Sequence, residues 1–359
     1  VLLLGLSAAL GASWFVWDRS APAGIPEESQ RSAPLACGED CAWFRVAFTG
    51  DTLIGDAARK RIKKSGYRSV LQRARPLLAG ADFVLVNAEA PLTNLGRRWD
   101  PSGKGWSYNT RKAAAEQLAW LGVDAIGIAN NHGWDRGALG VADTLRSGQQ
   151  AGLGVVGAGL DEARAWRPLI VPTPHGSIGV VAVHTGRLAS PPVGAGQPGV
   201  AVWDPARVDG AVAAAREAGA EHLVAYVHWG RNYAPIKGRQ RRLAHALVDA
   251  GFDLIVGHGA HTVQPVGRIR GVPVLYSLGN FVFNTPGRFG KLSKPGFGMV
   301  AHAWLGADGF AAVELRCLMA DNQVTKYKAR PCTDVERGPG FAELGPAVEV
   351  HGKAAWIGR

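Results

Sequence analysis

Short apolar runs alternate with longer amphipathic ones along most of the chain. The runs "FRVAFTG" (44–50), "FVLVNAE" (83–89), "DAIGIAN" (124–130), "GSIGVVAVH" (176–184), "HLVAYVHW" (222–229), "FDLIVGH" (252–258) and "PVLYSLGN" (273–280) are rich in Val and Ile and bear glycine or polar residues at their ends. Runs of this length and composition predict strands. Between them, "TRKAAAEQLAWLG" (110–122), "GVADTLRSGQQAG" (140–152), "DPARVDGAVAAAREAG" (204–219) and "RRLAHALVDAG" (241–251) carry helical spacing and stop at glycine. Strands alternating with helices predict an α/β fold. Two later runs, 297–305 and 309–318, have no helix between them and predict an antiparallel hairpin.

The ends of the chain break this rhythm. Residues 1–17 carry no charge and are followed at once by Asp18 and Arg19. That length sits at the lower limit of about 17 residues for a membrane span. A removed signal peptide and a retained membrane anchor both fit this N-terminal hydrophobic segment, and either implies an extracytoplasmic protein, membrane-anchored or secreted. A buried N-terminal helix of a cytosolic protein is the alternative. Residues 18–40, rich in Pro, Ser, Ala and Glu, read as a flexible linker. The folded domain is expected over 41–319 and an irregular tail over 320–359, with no second domain. Four cysteines, Cys37, Cys41, Cys317 and Cys332, fall into two close couples, and local pairing in an oxidising compartment is expected, with free thiols as the alternative.

Composition narrows the partners. With 47% hydrophobic and 19% charged residues the chain is a folded protein, not a disordered one. A net charge of +11 favours an anionic partner: a polyanionic polymer, a phosphorylated substrate, a lipid surface or nucleic acid. The basic stretches "RKRIKK" (59–64) and "GRQRR" (238–242) read first as solvated helix faces. No RNA-recognition, zinc-finger or helix-turn-helix signature is present, so nucleic acid is not the expected partner. Nor is there a GxSxG elbow or a Gly-rich GK[ST] loop for serine nucleophilic or NTP chemistry.

Polar residues gather at the strand ends, where α/β sheets bind their ligands. Asp51 follows the first strand, Asn87 and Glu89 the second, and Asn130, Asn131, His132 and Asp135 the third. His228 closes a later strand, and "GHGAH" supplies His258 and His261. Each has an ordinary alternative: a helix cap for Asp51, turn residues for the asparagines, a packed core imidazole for His228. Together they form a mixed O/N donor set suited to Mn, Fe or Zn, as one or two divalent ions. Trp229, Tyr276 and Asn280 flank these residues and are expected to line the cleft and bind substrate along with Asn87 and Asn130. His184 ends another strand and is either a cleft residue or a packed one.

The order GD (50–51), NAE (87–89), ANNHGWDRG (129–137), HWG (228–230), GHGAH (257–261) and YSLGNFVF (276–283) resembles the CapA family of capsule or poly-γ-glutamate biosynthesis proteins. The resemblance spans about 43–305. It implies a metallophosphatase-like β-sandwich flanked by helices, related to calcineurin-like metallophosphoesterases. It further implies Asp51, Glu89, Asn131, His228, His258 and His261 as metal residues, Glu89 bridging the ions, and His132 as the general acid in a catalytic pair with Asp135. Three departures are visible: Asp51 is followed by Thr52 and Leu53 where the metallophosphoesterase pattern has Asp-x-His, GHGAH has one residue more between its histidines than the Gly-His-x-His pattern, and Asn232 stands where an acidic residue is usual. The implied role is the biosynthesis, export or attachment of an anionic capsular polymer, by a metal-dependent hydrolase or transferase, in a polymer-synthase complex. The rival expectations are a non-catalytic membrane assembly subunit that binds the polymer and a secreted metallophosphoesterase unrelated to capsule.

Overall fold

A computed structural model of the chain describes residues 43–358, apart from 97–99, 102, 187–192, 195 and 288. The hydrophobic segment 1–17, the linker, Cys37 and Cys41 lie outside the described residues. In chain order, β1 (Phe44–Leu53) leads through α1 (Arg59–Ser65) and α2 (Arg68–Leu71) to β2 (Phe83–Ala88), α3 (Ala114–Leu121) and β3 (Ala125–Gly127). Then come α4 (Gly137–Gln150), β4 (Gly154–Val156), β5 (Ala158–Gly159), α5 (Glu162–Ala165), β6 (Leu169–Val171), β7 (Ser177–His184) and β8 (Gly199–Val200). The next stretch holds α6 (Pro205–Glu217), β9 (Ala220–His228), α7 (Gly238–Asp249), β10 (Leu254–His258), β11 (Val263–Ile269), β12 (Val272–Leu278) and β13 (Asn280–Phe283). The last part is β14 (Phe297–Gly306), β15 (Gly309–Met319), α8 (Asn322–Thr325), β16 (Arg330–Pro331), α9 (Asp334–Ala342), β17 (Glu349–His351) and β18 (Ala354–Gly358).

Alternation along the strands decides how these elements stack. In β1 and β2, Val46, Phe48, Phe83 and Leu85 join one apolar cluster with Val180, Val224, Tyr226, Leu254 and Val256 of the other sheet. The intervening residues Ala47, Val84 and Val86 meet α3 through Ala114, Leu118 and Leu121. On the second sheet Leu223, Ala225, Val227 and Ile255 meet α6 and α7 through Ala211, Ala215, Ala244 and Leu247. A period of two with both faces apolar therefore yields four layers, helix, sheet, sheet, helix. The sandwich flanked by helices is the expected architecture.

The larger sheet runs β17-β18-β15-β14-β1-β2-β3-β4, with β13 also on β1 and β16 on β15. The second runs β11-β12-β10-β9-β7-β6. Strands β1, β2 and β3 are mutually parallel, as are β7, β9, β10 and β12. Their carboxyl ends meet at one edge of the sandwich. Local signals agree with the elements: Asp204 caps α6 with Pro205 in its first turn, and α3 ends on Gly122 in the left-handed region.

The tail is ordered, contrary to the irregular segment expected over 320–359. β18 pairs with β15, matching Val313 to Ile357 and Leu315 to Ala355, and buries Ala355 and Ile357 in the intersheet core. A Thr333–Glu336 capping box opens α9, and Glu336 also accepts from Arg330 at 2.7 Å. Cys317 and Cys332 form a disulfide, the local pairing expected. Among the described residues no helix is long and apolar enough to cross a membrane.

One polar contact ties the sheets together near the edge where the parallel strands end. The Tyr226 hydroxyl on β9 donates to the Thr49 carbonyl on β1 at 2.6 Å, with Tyr226 1% exposed. Tyr226→Phe leaves a buried carbonyl without that donor, so a loss of about 1–3 kcal/mol in urea unfolding is expected, with little change in the slope.

Candidate metal centre

Asp51 reaches the space between the sheets because β1 carries an extra residue. Phe48 pairs with Leu85 and Asp51 with Asn87, so three steps along β1 match two along β2. Strict alternation from Val46 and Phe48 would have left Asp51 facing the helices with Ala47. The bulge turns it inward. Gly50 permits the close approach: a Cβ there would lie 1.8 Å from the Gly279 carbonyl oxygen, and Asp51 N–H donates to that oxygen at 3.0 Å.

The Asp51 carboxylate is fully buried and crowded with nitrogen. It accepts from Asn87 Nδ2 at 2.9 Å and from the Gly259 N–H at 3.1 Å. His261 Nδ1 lies 3.1 Å away, His258 Nδ1 3.3 Å and His228 Nδ1 3.8 Å. Burial opposes the Asp51 charge, but hydrogen bonds from His258 and His261 hold its pKa well below the usual carboxylate range.

The histidines arrive in register. His258 pairs with His228 and His228 with His184, each at the end of its strand and on the face shared by Val180, Val224 and Leu254. Burial lowers all three imidazole pKa values, that of His184 to about 4, so they remain neutral with lone pairs available. His261 follows a turn and adopts a left-handed φ of 57°, which directs its ring at Asp51 and at Asn280 Oδ1, 2.9 Å from its Nδ1. Burial works against a charge on His261, but Glu89 and Asp51 outweigh it and raise its pKa to about 9. Glu89 is pushed well above its ordinary range by burial and by Asp51.

A second arm comes from the segment after β3. His132 Nδ1 bonds Asp135 Oδ2 at 2.5 Å. Asp135 also accepts from Lys104 Nζ at 2.7 Å and from the Tyr108 N–H at 2.7 Å, and the Tyr108 ring lies 4.5 Å from the His132 ring between centroids. Burial lowers the His132 pKa against the opposing pull of Asp135. Lys104 also donates to the Asn131 carbonyl.

The donor set fits a divalent ion. Two groups bring their ligand atoms within 4.8 Å of one another: Asp51 with His228 and His258, and Asp51 with Glu89 and His261. Asp51 is common to both groups, and Glu89 belongs to the second. Both Glu89 oxygens, Asn131 Oδ1 and His258 Nε2 are buried without a hydrogen-bond partner. Buried acceptors left unpaired in this way are costly unless a cation satisfies them.

The five residues expected to bind substrate take other roles. Asn87 spends its amide on Asp51 and on Asn130 Nδ2 at 2.9 Å, and Asn130 also bonds the Ala88 carbonyl and the His132 N–H. Asn280 fixes His261. Trp229 and Tyr276 stack on the helix-covered face of the second sheet, with Trp229 Nε1 donating to the Tyr276 carbonyl at 2.6 Å. Odd-numbered Trp229 cannot share the face of His228 on a continuing strand. Sequence reasoning passed over Lys104, Tyr108 and Tyr226. Only Tyr226 carried a signal, its spacing of two from His228.

An α/β sandwich with a buried carboxylate and imidazole cluster at its strand ends defines a candidate metalloprotein class. The chain belongs to the bacterial capsule synthesis protein family PGA_cap, whose model matches residues 45–285. It is 31% identical over 244 residues to the PGA biosynthesis protein CapA of Bacillus subtilis, covering 67% of this chain and 63% of that protein. It is 28% identical over 245 residues to the capsule biosynthesis protein CapA of Bacillus anthracis, covering 67% and 59%. Two Mycobacterium tuberculosis proteins named as probable polyglutamine synthesis accessory proteins are 33% identical over 213 residues, covering 56% of this chain and 55% of theirs. The chain thus spans between about half and two thirds of the length of these relatives. Among solved structures, NAD nucleotidase of Haemophilus influenzae aligns over 85% of this chain and 56% of its own at 13% identity and a TM-score of 0.42, too low to add to the assignment.

Raised pKa values on Glu89 and His261 mean that at neutral pH the pair retains at least one proton that a cation must displace. Metal affinity is therefore expected to rise with pH from 6 toward about 9, the His261 value, with proton release on binding. Calorimetric titration of Zn or Mn in buffers of different ionisation enthalpy measures both; affinity that is flat with pH would contradict this arrangement.

Proposed function

We propose that this protein serves in the biosynthesis, export or attachment of an anionic capsular polymer of the poly-γ-glutamate type, outside the cytoplasm. Its strand-end cluster is read as a divalent-metal site for hydrolysis or transfer at a phosphoester or amide. The observation that carries the chemical half is the set of unpaired buried acceptors among the strand-end residues: both oxygens of Glu89, Asn131 Oδ1 and His258 Nε2. Family membership supports the biological half, and the net charge of +11 suits a polyanion. Membrane attachment through residues 1–17 and a place in a polymer-synthase complex belong to the same proposal.

The chemistry supplied by bound Mn, Fe or Zn would be polarisation of a phosphoryl or acyl oxygen and activation of water. The chain's own residues divide the remaining work. Asp51, His228, His258, His261, Glu89 and Asn131 would hold the ion, and Asn87, Gly259 and Asn280 fix the orientation of Asp51 and His261. Asp135 holds His132 by Nδ1, which leaves Nε2 to exchange a proton with the attacking or leaving atom. Lys104 and the Tyr108 N–H keep Asp135 in place for that task.

A non-catalytic assembly subunit is the second reading, favoured by the accessory role in the names of the mycobacterial relatives. Two measurements separate the readings. Metal analysis of the exported protein is expected to give one or two equivalents of Mn, Fe or Zn, lost in a His258→Ala, His261→Ala double variant; wild-type protein that stays metal-free after loading at neutral pH would sink the metal site. His132→Ala is expected to keep its metal and abolish polymer production, since a missing acid typically lowers rates by about 10²–10⁴-fold. Full production with His132→Ala would instead favour the assembly subunit.

A further inference from the structure

The crossover from β1 to β2 carries charge that packing does not use. Neither Asp nor Glu occurs between Asp56 and Asp82, a stretch that includes "RKRIKK" (59–64), Arg68, Arg73 and Arg75. Its apolar residues Val70, Leu71, Ala74, Leu77 and Leu78 join the cluster of Val84 and Val86 of β2 and Leu118 of α3. Lys60, Lys63, Lys64, Arg68, Arg73 and Arg75 are left exposed. Among the described residues none of these forms an ion pair, and Asp82, the acid that closes the stretch, accepts from the Arg45 N–H at 2.7 Å.

Two of these cations are brought together. The guanidinium carbons of Arg68 and Arg75 lie 4.5 and 5.5 Å from the centroid of the same indole, Trp120 on α3. The ring attracts each group, yet the two repel one another, and an anion accepted by both would relieve that repulsion.

The crossover also has a fixed place relative to the strand-end cluster. It starts where Ala57 N–H donates to the Asn284 carbonyl at 3.0 Å, at the carboxyl end of β1, and ends where Asp82 N–H donates to the Arg45 carbonyl at 2.8 Å, near the amino end. From Arg45 to Leu53 is about 26 Å at 3.3 Å per residue. The basic stretch thus runs the length of the sheet. At its upper end Arg59 Nη2 donates to Asn109 Oδ1 at 3.4 Å, and Asn109 directly follows Tyr108, whose N–H holds Asp135.

We propose that this crossover is the docking track for an extended polycarboxylate chain, held along Lys60, Lys63, Lys64, Arg68 and Arg75 and led past Arg59 toward the His132–Asp135 arm. This rests on the polymer named under the proposed function and adds the surface that receives it. An unbroken run of exposed cations without intervening acids matches a chain bearing one carboxylate per unit. No large apolar residue of the stretch is exposed, as insertion into a lipid surface would require. The one indole beside it is already taken by two guanidinium groups, which disfavours the base stacking of a nucleic acid.

The test titrates a γ-linked glutamate dimer, and an oligomer of about 20 such units that exceeds the roughly 26 Å track, into the exported protein at two salt concentrations. A Lys63→Gln, Lys64→Gln, Arg68→Gln variant is compared with an Arg167→Gln, Lys326→Gln, Lys353→Gln variant, which loses the same charge from other exposed positions. A Lys63→Arg, Lys64→Arg, Arg68→Lys variant keeps the charge in place, and metal content is measured on each. The first variant is expected to bind the oligomer about tenfold or more weakly, with a shallower decline of affinity as salt rises, and to bind the dimer as before. The other two should bind the oligomer like wild type. Equal losses in the first two variants, no loss in the first, or wild-type protein that ignores the oligomer would each overturn the proposal. So would binding to phosphatidylglycerol vesicles in place of the oligomer, lost in the first variant. Wild-type protein that takes no metal yet holds the oligomer through these residues would overturn the metal-site reading and leave the track standing.

Discussion

The carboxylate of Asp51 sits between two sheets with no exposure to solvent, and an ion in that position must be met on every side. An amide, a backbone N–H and three imidazoles surround it. Each of those partners needs its own support, which explains the depth of polar residues behind the site. Asn130 holds Asn87, Asn280 holds His261, and the Tyr226 hydroxyl braces the bulged segment that aims Asp51 inward. A well-packed apolar replacement would be simpler and more stable, so a cluster of this kind points to use and not to stability.

Much of this was legible in the sequence, because strand periodicity and the polar residues after each strand are local properties. The strands around Val46, Val86, Ile126, Val227 and Val256 and the helices between them follow from apolar spacing alone. The residues at their ends were also identifiable, since parallel strands bring their carboxyl ends together whatever the distance along the chain. What was not legible was the side on which each residue falls. Asp51 is turned inward by one extra residue in β1, which only the pairing with β2 reveals. Trp229 follows His228 directly and by alternation faces the helices. The amides of Asn87, Asn130 and Asn280 are spent on neighbours far away in sequence, and no spacing rule reports that. The tail was misread because β18 spans only five residues and takes its stability from β15.

The family match and the architecture do not end at the same place. Residues 45–285 contain every candidate ligand and all the parallel strands, yet β14, which lies beside β1 in the sheet, falls beyond them. β14 pairs with β1 from Phe44 to Thr49, and β15 and β18 extend that edge. These antiparallel strands add no candidate ligand. They supply Met299, Ala301, Ala303, Val313 and Leu315 to the intersheet core, so the site is carried by one part of the chain and its foundation is completed by another.

The entry of the chain into β1 has a consequence for orientation. Trp43 packs edge-on against Trp304, 6.3 Å between centroids, and joins Trp356 of β18 in a small cluster at the amino end of β1. From Phe44 to Asp51 the strand covers about 23 Å at 3.3 Å per residue. Leading and trailing ends of the described chain therefore meet at one pole, and the carboxylate and its imidazoles occupy the other. A body mounted on any support through its leading end would hold this cluster at the far side from its attachment.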